Sequence, residues 1–308
     1  MLARLWKKLF LDERPSISLG AFRIAVAVTV GTHVIPTLLP LMDNYLHTAF
    51  KEKNAIVFPL WFLTWVEKSS DSFVILMTAG FYFLWVLFLI GFCSQASCIL
   101  MTLCCYYFYA LNSLHIGTLS WDILLVTLFL MCVTGYHGDY FSVDAWFRKR
   151  RNKEIPLRPF FIQRLLQMQL SSTFFYTALV KLYPGNWHHE NAYYYLINNP
   201  PEGVIKHFPF RDFLAASPQL CHWIGWGVIT TEFLIAFGLW IPYARYAAIC
   251  LGIGFHFLLL FTLHVPTIFF FLFPAQFLLF IPPEKILYSR PEQADLGICP
   301  LNPGDTKP

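Results

Sequence analysis

Runs of about 20 apolar residues, the length that crosses a bilayer as a helix, recur along this chain and constrain its fold more than any other feature. Eight candidates lie near 18–40, 72–92, 96–111, 120–135, 159–183, 219–241, 244–263 and 265–282. The third and fourth are short, and Pro266 parts the last two so tightly that they can pair as one hairpin. With 57% hydrophobic and 13% charged residues the chain is too apolar for a soluble globular protein. The expectation is an all-α, polytopic integral membrane bundle of about eight transmembrane helices with no large extramembrane domain.

Residues 1–14, MLARLWKKLFLDER, are basic and amphipathic and lack a small-residue cleavage site, so they read as a retained interfacial helix. Residues 15–288 hold the spans, and 289–308 form a polar, proline-containing tail of disordered character. Lys and Arg near span ends set orientation. Arg4, Lys7, Lys8 and Arg14 precede the first span, and Arg148, Lys149, Arg150, Arg151, Lys153 and Arg158 lie between the fourth and fifth. Four spans separate the clusters, which puts both on one side, read as cytoplasmic together with the whole 146–158 loop. Segments 41–71, 112–119 and 184–218 then face the exterior or lumen, and the first and last are long enough to fold back over the bundle as lids. No basic patch is interleaved with aromatics as a nucleic-acid site needs.

The fifth span, RLLQMQLSSTFFYTALVKL, breaks at Pro184-Gly185 into a polar, aromatic segment. At about 100° per residue Gln163, Gln167, Thr177 and Lys181 share one narrow arc, which should face other helices or a cavity rather than lipid. Lys181 has two readings. It can snorkel to the interface along its apolar stem, or it can sit in a poorly hydrated cavity as a usable base. Trp187, His188, His189 and Glu190 follow close by.

Other ionisable groups inside spans each need a partner or a water-filled neighbour. Arg23 can reach headgroups or pair with Asp144 in the adjacent loop. His33 reads as a hydrogen-bonded core histidine, and Asp122 either caps its helix or acts functionally. Glu232 and His256 have no helix end to retreat to, so they should approach each other or a shared polar network. No H-x-x-x-H or H-E-x-x-H spacing supports a metal site, and no phosphate-binding loop or nucleophile elbow is present. The eight cysteines contain no C-x-x-C pair and read as small core hydrophobes.

SLGAFRI at 18–24, LFLIGFCSQAS near Gly91, GDYFSVDAW at 138–146, FFYTALVKLYPGNW and the terminal FHFLLLFTLHVPTIFFFLFPAQFLLFIPPE occur in an order that resembles the vitamin-K-dependent γ-glutamyl carboxylase family. The match is closest to its short HTTM-type members, which look like the carboxylase membrane domain. In that family a lysine in the position of Lys181 is taken as the base acting on reduced vitamin K, ahead of proton removal from a peptide glutamate and addition of carbon dioxide. The resemblance therefore implies a carboxylase-type lyase using reduced vitamin K or another quinol, with a peptide substrate. With Lys181 as that base, the in-span candidates Asp122, Glu232 and His256 complete the expected catalytic group, with Trp187, His115 and Thr177 near the cofactor, no metal, and a site facing the extracytoplasmic or luminal side. His115 is the histidine nearest the family's catalytic histidine, whose place falls near Asp122. The sequence departs by having Val180-Lys181 where the carboxylases carry Lys-Lys, and by one extra residue between that lysine and Trp187. It also ends shortly after the last span, without the carboxylases' large luminal domain. A second reading stands beside the enzyme: a non-catalytic membrane accessory protein for export or maturation of a peptide or secreted partner. A third, a quinone-coupled redox subunit, lacks a paired dithiol in the sequence.

Overall fold

The computed structural model describes residues 10–36, 69–111, 118–183, 192–198, 210–262 and 267–283. Helices occupy all eight segments read as spans: α1 (Ile17–Thr29, continued by a π turn over Val30–Val34), α2 (Asp71–Ile90), α3 (Ser94–Leu111) and α4 (Thr118–Thr134) in the first half. A short α5 (Val143–Arg150) then leads to α6 (Phe161–Leu182). The small helices α7 (Ala192–Asn198) and α8 (Arg211–Ala215) precede α9 (Pro218–Gly238), α10 (Arg245–Thr262) and α11 (Thr267–Phe277). Four of these are long and apolar enough to cross a membrane: Ile17–Val34, Asp71–Ile90, Pro218–Gly238 and Arg245–Thr262. Asp122–Thr134 and Phe269–Phe280 are apolar but shorter. The polar arc of α6 lowers its hydropathy although its 22 residues give it the length.

Helix α1 is the centre of the bundle. Of its span 67% is buried, against 22% for α2 and 17% for α10. Phe22, Val26, Val30 and Val34, spaced at i, i+4, are all fully buried, so one stripe of α1 carries the core. Around it α2, α3 and α4 pack in succession, α6 lies along α9, and α11 returns from α10 to close on α1. Ser70 starts α2 by accepting the Phe73 amide, and Gly91 ends it in the left-handed conformation at φ 71. A Cβ at Gly91 would lie 2.2 Å from Arg23 Nη1, so that helix end and the buried arginine are built around one another.

Arg23 is fully buried. It reaches no headgroup, and its guanidinium donates to the carbonyls of His137 (3.2 Å) and Phe141. Asp144 lies near enough to act on it electrostatically, but its carboxylate caps α3, accepting from the amides of Cys93 and Ser94 at 2.8 and 2.7 Å and from Ser94 Oγ at 2.7 Å. The 138–146 element is thus a knot joining α1, α3 and α5. Asp139 adds to it by accepting from Ser16, Arg148 and Arg158.

Residues 13 and 14 are extended rather than helical: strand β1 (Glu13–Arg14) pairs antiparallel with β2 (Arg158–Pro159), Arg14 opposite Arg158. Backbone pairing satisfies these groups where the chain enters the first span. It also places Arg14 beside Arg158 at one end of the bundle. Residues 1–9, the 41–68 loop, the 112–117 turn and the 284–308 tail lie outside the described residues.

Candidate functional site

The polar arc of α6 faces inward. Gln163 and Gln167 are buried and both donate to the Leu279 carbonyl, the latter at 2.6 Å, tying α6 to the turn that ends α11. Two residues further on, Gln169, Thr127 of α4 and Gln276 of α11 bond to one another at 2.9–3.2 Å. The arc ends at Lys181 in the last turn of α6, where the helix dipole favours a cation.

Lys181 Nζ donates to both oxygens of Glu232, at 2.6 and 2.8 Å. The two side chains are 17% and 7% exposed. The partner explains why Lys181 does not snorkel. Fourteen residues separate Pro218 from Glu232, about 21 Å of helix, so α9 overhangs the end of α6. Short α7 and α8 pack against α9, and Cys221 Sγ meets the Leu214 carbonyl at 3.2 Å. Lys181 therefore meets α9 about two-thirds of the way along it, inside the helix, where a lone charge would be costly.

The pair forms one wall of a cavity of about 160 Å³. Its polar lining is Thr173, Thr177, Lys181, Glu232 and His256, and its apolar lining is Ile123, Phe174, Phe255, Leu259, Phe269 and Phe273. The Thr177 hydroxyl donates to the Phe174 carbonyl at 3.0 Å and also reaches the Glu232 carboxylate. His256 is buried, with its ring 4.7 Å from that of Phe273 and 5.7 Å from that of Phe174. Its Nδ1 lies 2.8 Å from the Gly252 carbonyl. A carbonyl only accepts, so Nδ1 carries the proton and Nε2 is the acceptor of the neutral ring. Gly252 has a second role: a Cβ there would lie 2.3 Å from the Phe277 ring, so its absence lets α11 close on α10 behind the cavity.

Lys181, Glu232, His256 and Thr177 thus converge. Glu232 and His256 share the cavity, but the partner of Glu232 is Lys181 rather than the histidine. Asp122 does not join them. It accepts from the Tyr109 hydroxyl at 2.8 Å, and it lies four residues inside α4 instead of capping its start. Its neighbour Ile123 is the α4 residue that lines the cavity. Trp187, His115, His188 and His189 lie outside the described residues, as does most of the 184–218 loop. Among the described residues no three His, Cys, Asp or Glu side chains group as metal ligands would. The sequence reading missed Thr173 and the aromatic walls. The i, i+4 run Gln169, Thr173, Thr177, Lys181 was the signal that could have found the first.

An HTTM domain model matches residues 12–284. No curated protein and no solved structure matches the chain. The family match covers every described helix and runs through the site from Lys181 to His256, and on that coverage the chain belongs to the HTTM domain family of membrane proteins.

Proposed function

We propose that the cavity receives the hydroxyaromatic head of a reduced quinone lipid, in a vitamin-K-dependent γ-carboxylase-like reaction on peptide glutamate. The observation that carries this reading is a carboxylate–ammonium pair set in the wall of an otherwise aromatic cavity. An apolar cavity of about 150 Å³ holds one benzene ring, so about 160 Å³ takes a single aromatic ring between Phe174, Phe269 and Phe273. A reduced quinone, when bound, would pass its electrons to dioxygen, and the family resemblance couples that oxidation to formation of the base that removes the glutamate γ-proton.

The chain's own residues divide the work. Held by both carboxylate oxygens, Lys181 is a donor, and the basic atoms of the pair are those of Glu232. Glu232 takes the proton from a hydroxyl placed beside it. Lys181 Nζ then turns an N–H toward the oxygen on which negative charge develops. His256 Nε2 offers a second acceptor across the cavity. Burial among phenylalanines keeps water from screening these charges. The basic end of the bundle is cytoplasmic in this reading, and the cavity opens away from it.

The experiment is quinol oxidation and bicarbonate incorporation into a glutamyl peptide, in membranes carrying wild type, Lys181→Met or Glu232→Gln, with detergent-extracted yield as the folding control. Wild-type activity falling about 100-fold or more in both variants is expected, the scale of a lost general base or charge stabiliser. Wild type inert toward every quinol tried would favour the accessory reading instead.

A further inference from the structure

The sequence has no C-x-x-C pair, yet the fold brings two distant cysteines together. α3 and α4 run antiparallel, with Tyr109 beside Asp122 at one end and Cys98 beside Cys132 at the other. The Cys98 and Cys132 sulfurs lie 3.7 Å apart, from positions 34 residues apart in the chain. A disulfide bond is about 2.05 Å, so the sulfurs need to close by roughly 1.7 Å. Thr102, one turn beyond Cys98 on α3, accepts from Cys132 Sγ at 3.3 Å and so holds that thiol against its neighbour. Cys98 is fully buried, whereas Cys132 is partly exposed. Phe129 and Val133, beside Cys132 on α4, are 54% and 65% exposed. In an apolar membrane helix that surface meets lipid, so the reactant that reaches Cys132 is lipid-soluble.

We infer that Cys98 and Cys132 are a redox dithiol, oxidised by a lipid-soluble quinone to a disulfide that bridges α3 and α4. The two S–H bonds break and one S–S bond forms. Both electrons and both protons pass to the quinone, which leaves as the hydroquinone. Cys132 meets the oxidant, and Cys98, shielded from it, supplies the second sulfur. A thiol or dithiol reductant reverses the step by exchange. The inference stands apart from the carboxylase-like reading, although its product is the class of molecule proposed for the cavity.

The test treats membranes holding the full chain with a short-chain, fully ring-substituted benzoquinone, which has no free ring position for a thiol to add to. The protein is then denatured, alkylated with N-ethylmaleimide, weighed and peptide-mapped. Of its eight cysteines, two are expected to lose alkylation, in a linked peptide joining Cys98 to Cys132, with hydroquinone formed in equal amount and dithiothreitol restoring all eight. Cys98→Ala and Cys132→Ala should each abolish both the link and the hydroquinone, while Cys250→Ala leaves both intact. Full alkylation of wild type after quinone would overturn the proposal, as would a link formed with peroxide but never with quinone. The wild-type map decides the matter even if a variant fails to fold.

Discussion

Lys181 stands one residue from the end of its helix, yet Glu232 holds it inside the bundle. Removing one member of such a pair leaves the other buried and uncompensated, a loss of about 3–5 kcal/mol, whereas replacing both by apolar groups is often neutral. Lys181→Met and Glu232→Leu should therefore each lower the thermal midpoint in detergent, and the double variant should recover most of the loss. Additive losses would mean that the two charges are solvated independently. A second residue-scale effect belongs to His137, in the turn between α4 and α5. Its Nε2 donates to the Ser94 carbonyl at 3.1 Å. Burial pushes its pKa down from 6.5 to about 4, outweighing the smaller upward pull of that hydrogen bond. The unfolded chain then binds a proton that the folded one refuses. Stability is full above pH 6.5 and falls as pH drops toward 4, by roughly 3 kcal/mol at the lower limit. His137→Gln, which keeps a donor for Ser94, should flatten a melting curve series across that window. An unchanged slope would assign the acid sensitivity elsewhere, Asp139 being the next group, whose carboxyl two arginines hold below its usual value against the opposing effect of burial.

Two glycines of the α2 region separate backbone need from helix propensity. Gly91 has φ 71 and Arg23 against it, whereas Gly80, inside α2, has nothing within 4 Å of the place a Cβ would take. Gly91→Ala should cost at least about 1–2 kcal/mol for the left-handed backbone alone, and more for displacing Arg23. Gly80→Ala should be neutral or stabilising by up to about 1 kcal/mol. Equal thermal midpoints for the two variants would contradict this account of the α2 terminus. The same elements show what was legible. The position of each apolar helix followed from run length, and the inward face of α6 followed from the phase of Gln163, Gln167 and Lys181. Contacts between distant segments were not legible. Lys181 and Glu232 are 51 residues apart, and Cys98 and Cys132 are 34 apart. Which residues meet depends on how far one helix slides past its neighbour, and composition carries no record of that slide. The cap reading of Asp122 failed for a related reason: α4 begins at Thr118, four residues before it, and the carboxylate meets Tyr109 instead of capping the helix.

For the whole molecule, the paired strands at Arg14 and Arg158 gather basic residues at one end, and charge asymmetry of this kind predicts a cytoplasmic face. A cysteine placed by Glu154→Cys, in a background lacking Cys93, Cys250 and Cys299, should react with a membrane-impermeant maleimide in inside-out vesicles and not in right-side-out ones. The reverse labelling would invert the orientation. In the proposed function the Lys181–Glu232 wall and its aromatic neighbours form one ligand site. Photolabelling with a reduced-quinone analogue bearing a diazirine on its ring tests it most directly. Label is expected on the segments holding Phe174, Phe255 or Phe273, removed by excess unlabelled quinol and reduced at least about tenfold, or 1.4 kcal/mol of binding, in Glu232→Leu. Label confined to other helices, or label that excess quinol does not displace, would contradict it.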